Sequence, residues 1–176
     1  MKRVNKFGII LFLAASTIIS SCSKDDNGGG SSVPATGTYI NAKVNGTSFS
    51  TVINGVSAAT ATRSGSGTDT IIMVLGSNLN GTTSTNTLSI NLFGITTPGT
   101  YAINSDSESV MGYVEGTSEV AYGTGICAGS TGTVTVTTID ATKIEGTFSF
   151  TGKDGENCAA ASKSITNGQF RGVFSN

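Results

Sequence analysis

Nucleophilic catalysis needs few residue types at recognisable spacings, so it is the first chemistry to consider. A serine or cysteine nucleophile normally depends on a histidine base, and the 176 residues include no histidine. The Gly-x-Ser-x-Gly motif that exposes a hydrolase serine is also missing. Cys127 could supply a thiol, but the sequence names no base to activate it. The sequence therefore predicts no catalytic residue and no enzyme.

Acidic residues concentrate in the stretch 104–119, which holds Asp106, Glu108, Glu115 and Glu119. Two carboxylates that face each other across a cleft could hydrolyse a glycosidic bond. Exposed acidic side chains also keep loops and strand edges soluble, and this ordinary role needs no special spacing. The sequence favours the ordinary role and leaves a carboxylate-based glycan hydrolase as an alternative.

Metal and cofactor sites find little support. The loop at 154–157 offers oxygen ligands of the kind that calcium binds, on Asp154, Glu156 and Asn157. Calcium needs six to eight oxygen ligands, and this loop does not follow the EF-hand pattern. The glycines of 123–128 match a dinucleotide fingerprint only superficially, since no βαβ unit surrounds them. We expect no cofactor and no metal, and the sequence leaves calcium at 154–157 undecided.

Ligand binding without catalysis is the remaining possibility. Tyr113 and Tyr122 lie in a glycine-rich stretch, where we expect irregular backbone and exposed rings that could contact a ligand together with Glu115 and Glu119. The ligand could be a glycan or a protein, although the chain contains no tryptophan to stack on a sugar. The sequence predicts any ligand contact within 106–129.

The elements that must position these residues are strands. Alternating apolar residues and Asn-Gly dipeptides recur from Tyr39 to Phe174, and no window shows a helical apolar period. Asn45-Gly46 predicts a hairpin turn, and Asn167-Gly168 predicts a turn that leads into the last strand. The pattern predicts an all-β domain over 37–176, an antiparallel β-sandwich of roughly ten strands or, alternatively, a partly closed β-barrel. The side chains expected in the core are Leu88, Ile90, Leu92, Val134, Val136, Ile144, Phe148, Phe150, Phe170 and Phe174.

The amino terminus reads as a targeting segment. Basic residues precede an apolar run at 7–19 that is too short to span a bilayer, and Ile19-Ser-Ser-Cys22 resembles the lipobox of bacterial lipoproteins. An ordinary secretory signal with a chance cysteine is the alternative. We expect residues 1–21 to be a signal peptide, and two or more acyl chains on Cys22 (diacylglycerol and palmitate) would form a stable membrane anchor.

The residues that follow Cys22 indicate where in the cell the protein is located. Ser23-Lys24-Asp25-Asp26 resembles the export signal of Bacteroidota surface lipoproteins, and residues 22–36 form an acylated start followed by a Gly/Ser linker. From Cys22 onward, 7 Lys and Arg stand against 11 Asp and Glu, so the net charge is near −4. That charge disfavours nucleic acid as a partner. We expect an outer-membrane protein that faces the cell exterior.

Two cysteines remain beside the acylated one. Cys127 and Cys158 would form a disulfide in an oxidising compartment, and two buried free thiols are the alternative. A zinc site lacks ligands, because the chain has no histidine. A disulfide across this loop would stabilise the fold by roughly 3–4 kcal/mol in the chain-entropy model.

Four sequence blocks carry a family resemblance: Ala42–Phe49, Pro98–Tyr101, the Gly-Thr-Phe-Ser-Phe run at 146–150 and Ile165–Phe170. Their order resembles a Bacteroidota lipoprotein family of unknown function with β-sandwich-like members. The blocks are turns and core aromatics, so the resemblance implies fold and location and assigns no functional residue.

Overall fold

The computed structural model describes residues 36–80, 83–116 and 118–175. The predicted signal peptide, Cys22 and the linker up to residue 35 lie outside the described residues. Within the described ranges, no helix is both long enough and apolar enough to cross a bilayer.

Strands make up nearly all of the regular structure. The only helical element among the described residues is a single 3₁₀ turn at Gly67–Asp69, between β5 and β6. The strands are β1 Tyr39–Val44, β2 Thr47–Ser50, β3 Val52–Ile53, β4 Val56–Ser57, β5 Ala59–Ser64, β6 Ile71–Asn80, β7 Thr83–Phe93, β8 Gly99–Asn104, β9 Val110–Glu115, β10 Ala121–Gly123, β11 Thr131–Ile139, β12 Lys143–Asp154 and β13 Lys163–Val173.

One large antiparallel sheet contains all of these strands except β3 and β4, which form a hairpin of their own. The main path runs β2-β1-β13-β12-β10-β9-β7-β6-β5. Strand β12 forks: its residues up to Thr151 pair with β11, and Lys153 and Asp154 pair with β10. Strand β8 continues the branch by pairing with β11.

The sheet curls into a half-barrel around a single core. The curl brings β5 against β13, where a Cβ built on Gly172 would lie 2.8 Å from the Cβ of Ala61. Register shifts in the β1–β13, β11–β12 and β12–β13 pairings mark bulges, which increase local twist. The all-β antiparallel prediction is confirmed, and the arrangement corresponds to the partly closed barrel.

The core follows the alternation in the sequence. All ten side chains predicted to face inward are buried, and Ile40, Ile72, Ile103, Met111 and Ile165 join them. The turn predicted at Asn45-Gly46 is confirmed as well, since both residues have positive φ, at 47° and 84°, as a type I′ hairpin requires.

One predicted turn is wrong. Asn167-Gly168 was expected to lead into the last strand, but both residues lie inside β13. Asn167 has a φ of 52° and sits at the register shift opposite Phe148 and Phe150, so the dipeptide forms a bulge. A Cβ on Gly168 would lie 2.5 Å from the Phe148 carbonyl oxygen, which explains why glycine is required there.

Candidate functional site

A cleft of about 280 Å³ opens at one end of the half-barrel. The β1–β2 hairpin forms one wall, and residues of β6, β7, β9 and β13 complete it. Mouths of β-barrels are common positions for ligand sites. The cleft is lined by Val44, Asn45, Thr47, Ser48, Phe49, Asn78, Asn86, Tyr113, Glu115 and Lys163.

An ion pair between Glu115 and Lys163 lies in this cleft. Glu115 is the last residue of β9 and Lys163 the first of β13, so two strand ends position the pair. Ser118 donates a second hydrogen bond to the carboxylate, with 3.1 Å between its Oγ and Oε2 of Glu115. The hydrogen bond from Lys163 lowers the pKa of Glu115, and the same bond raises the pKa of Lys163. Both side chains are therefore charged at neutral pH.

Two tyrosines flank the ion pair. Tyr113 and Tyr122 are cross-strand partners in β9 and β10, with ring centroids 6.4 Å apart. The Lys163 Nζ lies 5.1 Å from the centre of the Tyr122 ring, within the range of a cation–π contact. Burial raises the pKa of Tyr113, and the neighbouring Glu115 charge adds to that effect. The tyrosine hydroxyl is therefore a neutral hydrogen-bonding group at physiological pH.

Two asparagines on the rim are held in place by the backbone. The Asn45 Oδ1 accepts the Ser164 N–H at 2.9 Å, and the Asn86 Oδ1 accepts the Gly116 N–H at 3.3 Å. Each bond is accepted by the amide oxygen, so it fixes the orientation of the amide and leaves the amide N–H groups able to donate. Oriented amides at a cleft rim can donate hydrogen bonds to hydroxyl or carbonyl oxygens of a ligand.

Two of the four residues predicted to contact a ligand, Tyr113 and Glu115, line this cleft, and a third, Tyr122, contacts Lys163 without lining the cleft. Glu119 does not line the cleft. It has a φ of 58° in the turn between β9 and β10, where its N–H donates to the Glu115 carbonyl at 2.8 Å. Glu119 therefore shapes the turn that follows Glu115.

The expected irregular backbone around Tyr113 and Tyr122 is wrong. Strands β9 and β10 occupy that stretch, and Tyr113 is a core residue that is 4% exposed. Cross-strand pairing of Val114 with Ala121 and of Gly112 with Gly123 explains the order. The glycine-rich composition obscured this pairing at the level of sequence.

The sequence reasoning missed Lys163, Asn45 and Asn86. Lys163 is 48 residues from Glu115 and begins a strand whose pattern indicated only core positions. Asn45 carried a turn signal and nothing that suggested a site. The pairing of β9 and β7 places Glu115 opposite Asn86, and β13 and the β1–β2 hairpin bring Lys163 and Asn45 to the same cleft.

The carboxylates do not form a catalytic pair in this cleft. Glu115 is the single carboxylate among the described lining residues, and Lys163 neutralises it. A glycosidase acid needs a raised pKa, whereas the pKa of Glu115 is lowered. The arrangement can bind and orient a ligand, and it offers no proton donor of the glycosidase type.

The loop that follows β12 uses its polar groups internally. The Asp154 Oδ1 accepts the Glu156 N–H at 2.9 Å, and the Asn157 Oδ1 accepts the Ala159 N–H at 3.3 Å. In the described part of the chain, no three His, Cys, Asp or Glu residues gather closely enough to hold a metal ion.

The predicted disulfide between Cys127 and Cys158 is confirmed, with 5.5 Å between the two Cα atoms.

The ion pair makes the stability of the protein depend on pH. The pKa of Glu115 is lowered from its ordinary 4.5, so the contribution of the pair is present above that value and is lost as the pH falls through the folded pKa. A double-mutant cycle with Glu115→Gln and Lys163→Met should give a coupling on the order of 1 kcal/mol at pH 7 that disappears in acid, below the lowered pKa of Glu115. Urea unfolding at a series of pH values measures it. A coupling that stays constant from pH 7 down to the lowest pH at which the protein is folded would contradict this account.

Comparison with known proteins gives one match. The model of a family described as a domain of unknown function (DUF6252) matches residues 36–174, which covers every strand of the half-barrel. No curated protein and no solved structure matches the chain.

Proposed function

Because the chain belongs to the DUF6252 family, whose function is unknown, we propose a function from the cleft and the amino-terminal motif. The protein is a lipid-anchored envelope protein whose β domain is a non-enzymatic binding module. The cleft binds a neutral, hydroxyl-rich ligand, and a glycan is the class that fits this chemistry. Cys22 attaches the protein to the outer membrane, and the domain faces the cell exterior.

The charge balance of the cleft supports a neutral ligand. Glu115 and Lys163 are the only charged residues among the described lining residues, and they compensate each other. A charged ligand would have to break this pair or leave its own charge without a partner, and either costs free energy. A neutral ligand can hydrogen-bond to both charged groups while the pair stays intact.

The hydrogen-bonding groups support a ligand with many hydroxyls. Hydroxyl groups both donate and accept, so they complement the acceptor oxygens of Glu115 and the donors of Lys163 and the amides at once. Asn45, Asn78, Asn86 and Ser48 surround the pair with further polar groups. The Glu115–Lys163 pair beside two tyrosines is the single observation that carries the proposal.

The amino-terminal sequence supports the location. A basic start, a 13-residue apolar run at 7–19, small residues at 20 and 21, and Cys22 follow one another in lipoprotein order. Lys24-Asp25-Asp26 resembles an export signal for surface lipoproteins, and we propose that it directs the domain to the outside. The chain's resemblance to a Bacteroidota lipoprotein family supports both the lipid anchor and the surface location.

A glycan array tests the binding proposal. Detergent-solubilised protein should bind neutral oligosaccharides in preference to sulfated or uronic acid-containing ones. Glu115→Gln and Lys163→Met should each weaken binding to the best neutral oligosaccharide roughly tenfold to a hundredfold, because each removes charge-assisted hydrogen bonds worth about 1.5–3 kcal/mol. Titration calorimetry with that oligosaccharide measures the change.

Glu145→Gln is the matched control. Glu145 also pairs with a lysine, Lys143 at 3.1 Å, and its side chain is 21% exposed against 27% for Glu115. It lies in β12 and does not line the cleft. Equal loss of binding in Glu145→Gln and Glu115→Gln, or binding of acidic oligosaccharides alone, would refute the proposed site.

A further inference from the structure

The end of the half-barrel opposite the cleft receives the chain from the amino-terminal side. Strand β1 begins there at Tyr39, and the preceding Thr38 is fixed by two contacts. Its Oγ1 accepts the Val173 N–H at 2.9 Å, and its carbonyl accepts the Ser57 hydroxyl at 2.5 Å. The start of the domain is thus attached to the end of β13 and to the β3–β4 hairpin.

Further contacts complete this end, which we call the base. The base consists of Thr38 with the β3–β4 hairpin, the β5–β6 connection 63–71, the β11–β12 turn 140–143 and the carboxyl-terminal residues 171–174. Arg63 Nη1 donates to the Asp140 carbonyl at 2.9 Å, and the Arg63 guanidinium lies 5.9 Å from the centre of the Phe174 ring. The Phe174 N–H donates to the Thr142 carbonyl at 2.8 Å.

The base and the cleft lie at opposite ends of the same strands. Strand β13 runs from Lys163 in the cleft to Val173 at the base, and β1 runs from Tyr39 at the base to Val44 in the cleft. Ten residue steps at about 3.3 Å place Lys163 roughly 33 Å from Val173 along β13. The amino-terminal tether therefore joins the domain at the end remote from its cleft.

Exposed apolar side chains concentrate at the base. Val56, Ile71 and Val173 are 62%, 47% and 39% exposed, and they account for three of the five large exposed hydrophobic residues in the described part of the chain. Val56 is in the β3–β4 hairpin, Ile71 pairs with Ser64 beside Arg63, and Val173 contacts Thr38. A bilayer interface accepts apolar side chains of this kind.

The charges of the domain are distributed unevenly as well. The base carries three cations and two acids and has a net charge of +1, whereas the rest of residues 37–176 carries three lysines against seven acids. An anionic membrane surface repels the acidic part and does not repel the base. The charged residues of the base are Arg63, Lys143, Arg171, Asp69 and Asp140.

The length of chain between Cys22 and the domain limits how far the domain can lie from a membrane anchor. Fourteen residues, 23–36, separate Cys22 from the predicted domain start at Gly37. A chain of fourteen residues spans at most about 50 Å even when it is fully extended. A lipid anchor on Cys22 would therefore hold the domain near the bilayer, and the base is the end at which the chain enters the domain.

We propose that the base is the membrane-facing surface of the domain and rests on the bilayer that holds the acylated Cys22. The cleft then points away from the membrane into the medium, where it is open to large glycans on other molecules. This inference depends on the lipid anchor of the proposed function, and it does not depend on which ligand the cleft binds.

Quenching by membrane lipids tests the orientation. The full-length, acylated protein is reconstituted in vesicles of phosphatidylethanolamine and phosphatidylglycerol that contain a headgroup spin-labelled lipid, with a dye on Val56→Cys or on Ser48→Cys. Ser48 lines the cleft. The dye at position 56 should be quenched severalfold more than the dye at position 48. Equal quenching of vesicle-bound protein overturns the orientation alone, whereas protein that does not float with the vesicles overturns the anchor as well.

A second measurement separates contact with the bilayer from simple tethering. With a dye on Thr142→Cys at the base, Val56→Asp should reduce quenching because it places a charge on the membrane-facing surface. Ile126→Asp is the matched control, since Ile126 is also 62% exposed but its Cδ1 lies 2.9 Å from where a Cβ on Gly155 would be, outside the base. No change with Val56→Asp, or an equal change with Ile126→Asp, overturns the contact.

Discussion

Replacing Cys22 by alanine is expected to abolish acylation and to leave protein that is either uncleaved or soluble. In the proposed lipoprotein the sulfur of Cys22 carries the diacylglycerol, and alanine has no atom that could take its place. A buried acyl chain contributes about 0.8 kcal/mol per methylene, so loss of two or more chains removes membrane affinity by many orders of magnitude. Metabolic labelling with a palmitate analogue, followed by fractionation of the cells, measures the effect.

Cys158→Ser provides the control for this experiment. It also removes one cysteine, but we expect it to keep both the label and the membrane association, because Cys158 pairs with Cys127. Label that remains on the Cys22→Ala protein would place the acyl group elsewhere and end the lipoprotein proposal.

Loss of the disulfide is expected to be the largest change in stability. The bond joins residues 31 apart, and closing a loop of that length stabilises a fold by roughly 3–4 kcal/mol through the entropy of the unfolded chain. For a domain of this size that corresponds to a fall of roughly 10 °C in Tm for Cys158→Ser. Cys158 is exposed, so serine fits there without a buried polar group, and thermal unfolding followed by circular dichroism measures the shift.

Reduction supplies the internal control. The wild-type protein in reductant should melt close to the Cys158→Ser variant, whereas reductant should leave the Tm of the variant unchanged. An unchanged Tm in both the variant and the reduced protein would mean that the bond has little effect on the unfolded chain.

The sequence alone was sufficient for the class of fold and for its core. Alternation of apolar and polar residues is imposed by the strand itself, because successive side chains point to opposite faces, so Leu88, Ile90 and Leu92 could be assigned to the interior. Asn45-Gly46 could be assigned to a hairpin turn because both residues accept positive φ. The pairing of Cys127 with Cys158 followed from a count of cysteines.

Local signals failed where pairing with a distant strand decides the conformation. Asn167-Gly168 has the composition of a turn, but β12 and β1 both pair with β13 around it and convert the dipeptide into a bulge. Tyr113 lies among glycines, which suggested an exposed loop, and its pairing with Leu88 and Tyr122 buries it. In both places the hydrogen bonds of neighbouring strands outweigh the preference of the local sequence.

The candidate site belongs almost entirely to the tertiary structure. Tyr113, Tyr122 and Glu115 were identified from residue type and proximity in the chain, and the base of the domain carried no signal at all. The partner of Glu115 is Lys163, 48 residues away, and Asn45 reaches Ser164 across 119 residues. Residues that are far apart in the sequence become neighbours because β9, β13 and the β1–β2 hairpin end at the same mouth of the half-barrel. The order of strands in a sheet depends on long-range pairing, and no local pattern of side chains encodes it.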